Sequence, residues 1–300
     1  MNRNRYSKSR EAEIDKANES LFKAIKRIQS DFIEAIKERV NELDRDGDTI
    51  KDSISNISKI AQINKLYRDF IADQGNKLVD PLISGMESIH TEGVKYFEDI
   101  TKKKVNPDRS KKSTFKAFGW DITANKIIAG GIIHGLLVDE SPVNRLKSYL
   151  INTLKGSTTV KDIISKFNRV GKGFKDRPGI FEKHILEKLP QPFERFDRAN
   201  GVFIATDLQL NYAIYQGGVI RDSRPFCVER NNKVFSREEI QKFGTSSDKF
   251  GGYTNKSAGE FQGKPPLYDP LIDLGGYNCR HVIDWISDDL AFVLRPDLKP

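Results

Sequence analysis

The chain has 300 residues, 37% hydrophobic, 31% charged and 10% aromatic, with a formal net charge of +8. That size supports one large or two modest folded domains, and the aromatic content excludes wholesale disorder. Two cysteines are too few for a disulfide framework, so a reducing compartment is expected, while the positive charge suits a polyanionic partner without establishing one.

The basic start Met1-Asn2-Arg3-Asn4-Arg5 is followed by no apolar run, so no secretory signal is expected. Residues 11–44 read as one long helix, because Ile14, Ala17, Leu21, Ile25, Ile28, Phe32, Ile36, Val40 and Leu43 recur every three or four positions. Arg45-Asp46-Gly47-Asp48 ends it with turn chemistry. A second helix is expected from Thr49 to Ala72, with Ile50, Ile54, Ile57, Ala61, Tyr67, Phe70 and Ile71 inward. A third begins near Leu78 and carries Leu82, Met86, Ile89, Val94, Phe97 and Ile100. Residues 1–101 thus read as a helical hairpin or three-helix bundle. Its first helix outruns its partners and suggests an arm that grips another protein.

Lys102, Lys103, Lys104, Lys111, Lys112 and Lys116 form the densest basic run, with Pro107 inside it. Residues 102–119 read as a solvated linker; contact with nucleic acid or an acidic subunit is the sharper alternative. Residues 120–216 read as a central helical region. Asp121 or Thr123 is its first candidate cap, Ser141-Pro142 opens a helix that Gly156 closes, and Thr158 or Thr159 caps the next. Gly171-Lys172-Gly173 breaks the pattern but lacks the spacing of a phosphate-binding loop. A short helix is expected over 178–189 and a long one over 192–216. Ile127 to Val138, the longest apolar stretch, is well short of the roughly 20 residues of a bilayer span, so no membrane association is expected.

At Gly217-Gly218 the pattern changes. Val219-Ile220, Phe226-Cys227-Val228 and Val234-Phe235 read as short strands, and Asn231-Asn232 suits a turn with positive φ. Ser236-Arg237-Glu238-Glu239 is a capping box. Residues 244–276, rich in Gly, Ser, Lys and Pro, read as a long loop, and Arg280–Ile286 as a final strand. The expected class is α+β and predominantly helical. Residues 217–300 form a small C-terminal domain of short antiparallel strands and a long Gly-rich loop.

That domain holds both cysteines. The first lies in Arg221-Asp222-Ser223-Arg224-Pro225-Phe226-Cys227 and the second in Gly275-Gly276-Tyr277-Asn278-Cys279-Arg280-His281. Upstream lie Arg198-Ala199, Ala205-Thr206-Asp207 and Asn211-Tyr212-Ala213; between the cysteines lie Asn232-Lys233 and Pro265-Pro266. In order and spacing these five motifs, over about 140–286, resemble the Mu F-like head morphogenesis proteins, the minor head proteins of tailed bacteriophages. Asn232 stands where that pattern has glycine, and the stretch before Asp222 lacks the tryptophan often found there. Residues 1–115 fall outside the resemblance. It implies a protein that joins the head during assembly in the host cytoplasm and resides in the virion, in the head interior or at the portal vertex. It implies the portal and major capsid proteins as partners, non-specific contact with packaged DNA, and a link to DNA delivery.

Asp222, Arg224, Cys227, Asn278, Cys279, Arg280 and His281 are the structural motif residues. Cys227, Cys279 and His281 could converge on Zn²⁺, with Asp222 or His184 completing a set. Two packed thiols beside a histidine is the preferred reading, and no cofactor is expected. Arg224 and Arg280 with Asp222 and Asp284 could form a buried network between strands. His90 and His134 read as packed polar residues on helices. Cys227 with His281 could serve as nucleophile and base, but no catalytic signature surrounds either. A non-enzymatic protein is expected. The alternatives are a phage-delivered enzyme, either a metal-dependent nuclease or a transferase, and a helical DNA-binding protein.

Overall fold

The structure is a computed structural model that describes residues 3–154, 158–174, 177–189, 191–252 and 259–299. It is predominantly helical, with a few short antiparallel strands. Helix α1 spans Arg3–Asn41, and the Arg45–Asp46 (β1) and Thr49–Ile50 (β2) pair turns at Gly47, φ +58°. The expected second helix is two, α2 (Ile54–Ala61) and α3 (Ile63–Gln74). The start moves because the Ser53 side chain accepts from Asn56 N, and because Asn56 is itself fully buried. Asn56 Oδ1 accepts from Asp44 N at 2.8 Å, and Nδ2 donates to Lys51 O at 2.7 Å. That amide holds the β1–β2 turn, so Ile54 and Ile57, expected inward, are exposed, and Ile60 and Ile63 are buried instead.

Helix α4 (Asn76–Thr101) follows, then α5 (Pro107–Ala117) inside the segment read as a linker. That correction has a local cause. The Asn106 side chain accepts from Arg109 N at 3.1 Å, Pro107 sits in the first turn, and Ser110, Thr114 and Phe115 make one buried face. Trp120–Asp121 (β3) and Lys126–Ile127 (β4) replace the helix expected after Asp121. The Asp121 carboxylate accepts from Thr123 N and Ala124 N, an Asx-type turn that competes with helix initiation. Next come α6 (Ile132–Val138), α7 (Ser141–Leu154) and α8 (Val160–Lys172). Thr159 caps α8, accepting from Asp162 N at 3.1 Å, as its position suggests. Gly156 lies outside the described residues. The pair Gly173–Phe174 (β5) and Arg177–Pro178 (β6) leads to α9 (Ile180–Lys188) and α10 (Pro192–Asp207).

The expected long helix over 192–216 ends at Asp207. Gln209 takes φ +58°, and Tyr212–Gln216 is a strand, β7. Helix α11 (Pro225–Arg230) stands where a strand was expected around Cys227, with Pro225 at its first position. Asn232, φ +60°, leads into β8 (Lys233–Ser236). The capping box is present at α12 (Arg237–Gln241): Ser236 Oγ accepts from Glu239 N, and Glu239 Oε2 accepts from Ser236 N. Helix α13 (Pro270–Asp273), β9 (Val282–Ile286) and α14 (Asp288–Leu294) complete the elements named here.

The chain forms two compact units, each built from separated segments rather than from the consecutive blocks 1–101, 120–216 and 217–300. One comprises Lys16–Ser84 and Ile127–Leu189. Its core joins Phe32, Ile33, Ile36 and Val40 of α1 to Tyr67, Leu146, Leu150, Ile163, Phe167 and Phe181. The apolar stripe of α1 is buried along its length, so it forms core rather than a free arm. Gln29 Oε1 accepts from Phe181 N and Glu182 N, satisfying the first turn of α9 where Gly179 offers no side chain.

The other unit comprises Met1–Asp15, Gly85–Lys126 and Pro190–Pro300. Its sheet has the order β8–β7–β9, antiparallel throughout. Ala213 faces Phe235 and Trp285 across the ladder, and Ile214 faces Val234 and Asp284. Strand alternation therefore puts Ala213 and Tyr215 in one core with Phe235, Ile283 and Trp285, while Ile214 joins Val234, Ile286 and Ala291 in a second. A slip of one residue would turn Tyr215 away from the cysteines. The ring of Phe196 on α10 packs edge-on against Phe115 and Phe118.

Candidate functional site

Two parts of the second unit carry Cys227, Cys279 and His281 to one point. Helix α11 places Cys227 in its first turn, after Pro225 and Phe226, and residues 279–281 lead into β9. All three are buried, at 3%, 2% and 4% exposure, which keeps the sulfurs away from any dissolved substrate. The two Sγ atoms are 3.9 Å apart, and Cys279 Sγ lies 3.7 Å from His281 Nδ1. Tyr215 comes from the central strand. Its hydroxyl donates to Cys227 Sγ at 3.4 Å and lies 3.8 Å from Cys279 Sγ, and its ring packs on that of His281 with centroids 5.1 Å apart.

The surrounding backbone is held by arginines. Arg224 Nη1 donates to Gly275 O at 3.0 Å and its Nη2 to Tyr277 O. Arg198 donates through Nη1 to Ile272 O at 2.8 Å and through Nη2 to Cys279 O. Gly275 presses against both sulfurs: a Cβ there would overlap Cys227 Sγ and stand 3.0 Å from Cys279 Sγ. Replacing Gly275 with alanine should cost about 1–3 kcal/mol through this overpacking, read as a lower urea midpoint at unchanged m-value. A change within about 0.5 kcal/mol would show that the sulfurs are not so closely seated.

The two thiols are not equivalent. The hydrogen bond that Cys227 gives Cys279 draws the Cys279 pKa well below the usual thiol value; His281 and Arg198 assist and burial opposes. The same bond, with burial, pushes Cys227 up. Burial likewise raises Tyr215 well above the ordinary phenol value. The arrangement is thus a thiolate-leaning sulfur beside a thiol, an imidazole and a phenol in a closed core. Such a set can pack as buried thiols or coordinate a metal.

Three of the other motif residues separate from this point. Asp222 and Arg280 are exposed, as is Asn278, which takes φ +58°. The expected Arg–Asp network between strands is corrected. Arg224 is engaged by carbonyls, and Asp284 pairs with Arg10 at 3.1 Å and accepts from Gln216 at 2.9 Å. His184 belongs to the other unit, and the group of candidate metal ligands among the described residues is Cys227, Cys279 and His281. His90 is a packed residue as expected, its Nδ1 2.8 Å from Asn200 Oδ1.

Tyr215, Arg198 and Arg10 went unremarked as site residues in the sequence. Of these only Arg198 carried a signal, as part of the Arg198-Ala199 motif; Tyr215 lies in a short apolar run whose period is ambiguous. Of the basic run, Lys102 pairs with Asp99, Lys104 with Glu98 and Lys111 with Glu87, while Lys103, Lys112 and Lys116 are exposed. No helix among the described residues is long and apolar enough to cross a membrane. Compared with known proteins, the chain matches no protein-family model, no curated protein and no solved structure.

Proposed function

We propose that this chain is a Mu F-like minor head protein of a tailed bacteriophage, acting in head assembly without catalysing a reaction. The observation that carries the reading is the convergence of its motifs. Cys227 and Cys279, 52 positions apart, bring their sulfurs within 3.9 Å. Arg224 of the first motif bonds the carbonyl of Tyr277 in the second, and Arg198 of the upstream helix bonds that of Cys279. Motifs that belong to one functional fold should meet in space, and unrelated sequence coincidences have no reason to.

The portal and major capsid proteins are the proposed partners. The site of action is the head interior or the portal vertex, after assembly in the host cytoplasm. Co-expression with the portal protein of the phage that encodes it provides the test. Co-purification through size exclusion at physiological salt supports the reading. Separate elution from both portal and capsid proteins contradicts it.

Packaged DNA is a secondary, non-specific partner, suggested by exposed Lys103, Lys112 and Lys116 beside weak, solvent-screened surface pairs. Replacing Lys102, Lys103, Lys104, Lys111 and Lys112 with glutamine should flatten the salt dependence of DNA binding, since each phosphate contact removed subtracts about 0.9 from the slope. An unchanged slope places the nucleic-acid contact elsewhere.

A further inference from the structure

The geometry points to a structural zinc site formed by Cys227, Cys279 and His281, with the Tyr215 hydroxyl on the fourth side. It goes beyond the head-protein reading and does not depend on it.

The distances are close to those a tetrahedral metal site requires. Zinc holds sulfur at about 2.3 Å and imidazole nitrogen at about 2.0 Å in tetrahedral array, which sets ligand atoms about 3.8 Å apart for two sulfurs and about 3.5 Å for sulfur and nitrogen. Here the sulfurs are 3.9 Å apart and the Cys279–His281 pair 3.7 Å. The ligand atoms of all three residues lie within 4.8 Å of one another, so the remaining edge closes with a shift of about 1 Å. Three soft or borderline donors facing one point suit zinc over magnesium or calcium, which prefer oxygen.

The surroundings are those of a built site. The ligands sit on different elements, α11 and the approach to β9, and the central strand supplies Tyr215. Arg198 and Arg224 fix the carbonyls of Cys279, Gly275 and Tyr277, which sets the direction from which the second sulfur approaches. Gly275 leaves no side chain between the sulfurs and the backbone that covers them. Zinc would be held by two thiolate sulfurs and a ring nitrogen of His281, any ligand protons leaving to solvent as it binds. Bound zinc would tie α11 to the approach to β9.

The test uses the full-length chain, purified under reducing conditions with neither chelator nor added metal, and elemental analysis of the folded protein. Stoichiometric zinc is expected. Exchange for cobalt should give an intense thiolate-to-cobalt charge-transfer band and the visible bands of a tetrahedral ion. Removing zinc by chelation should lower Tm by roughly 10 °C, the shift expected on losing a ligand whose Kd lies far below its free concentration. Cys279→Ser and His281→Asn should each lose the metal. Because these variants can also fail to fold, the wild-type metal content carries the decision. Folded wild-type protein that stays substoichiometric in zinc after dialysis against it would overturn the site. So would a different metal in its place, or a Cys227–Cys279 disulfide in protein kept reduced.

Discussion

Replacing Arg10 with alanine should cost about 3–5 kcal/mol of stability, the largest effect expected of any substitution near the N-terminus. Arg10 is 7% exposed and sits between two carboxylates. Its Nε and Nη2 grip Asp197 at 3.1 and 2.6 Å, and Nη1 reaches Asp284 at 3.1 Å. Burial works against the guanidinium charge, but Asp197 and Asp284 outweigh it, so the Arg10 pKa lies above the usual arginine value. Alanine would strand two buried carboxylates on α10 and β9. Lysine would restore the charge without the planar fork and should recover only part of the loss. Urea unfolding followed by circular dichroism measures both, and a loss below about 1 kcal/mol for alanine would show the triad to be wrongly placed. It follows that deletion of residues 1–45 disrupts the unit containing the cysteines, rather than trimming a dispensable arm.

Arg230→Ala should cost a similar amount, about 3–5 kcal/mol. The side chain is fully buried, pairs with Asp248 at 2.7 Å, and donates to Phe226 O and Gly251 O at 3.0 Å each. The guanidinium lies 3.8 Å from the Phe226 ring centroid and 4.6 Å from that of Phe243, so its loss also opens a cavity between aromatics. Asp248 in turn accepts from Gly244 N at 3.1 Å, which ties the loop after α12 to α11. A double-mutant cycle with Asp248→Ala isolates the pair: the double mutant should be less destabilised than the two single losses summed. Strict additivity would mean that the two charges do not meet.

These two arginines mark the limit of what the sequence made legible. Features set within a few residues were readable: the α1 stripe, the Thr159 cap, the Ser236 capping box and the left-handed Asn232. Convergence of the cysteines and His281 was also anticipated, because motif order implied it. Three kinds of feature were not. Short apolar runs are ambiguous in period, so Tyr212–Gln216 read as helix and Phe226-Cys227-Val228 as strand. Side chains that bond locally, such as Asn56 and Asp121, displaced helix starts that apolar spacing alone favoured. Pairings across 187 and 274 positions, as for Arg10, leave no trace in a single sequence. For the same reason the two units, each assembled from separated segments, could not be read from chain order.

The function proposed above makes this chain a component of a phage head. Quantitative mass spectrometry of purified particles, taken at successive stages of assembly of a phage carrying its gene, tests that proposal most directly. The chain should be present in few copies per head relative to the major capsid protein, and retained from the precursor head onward. Its absence from particles at every stage would contradict the account.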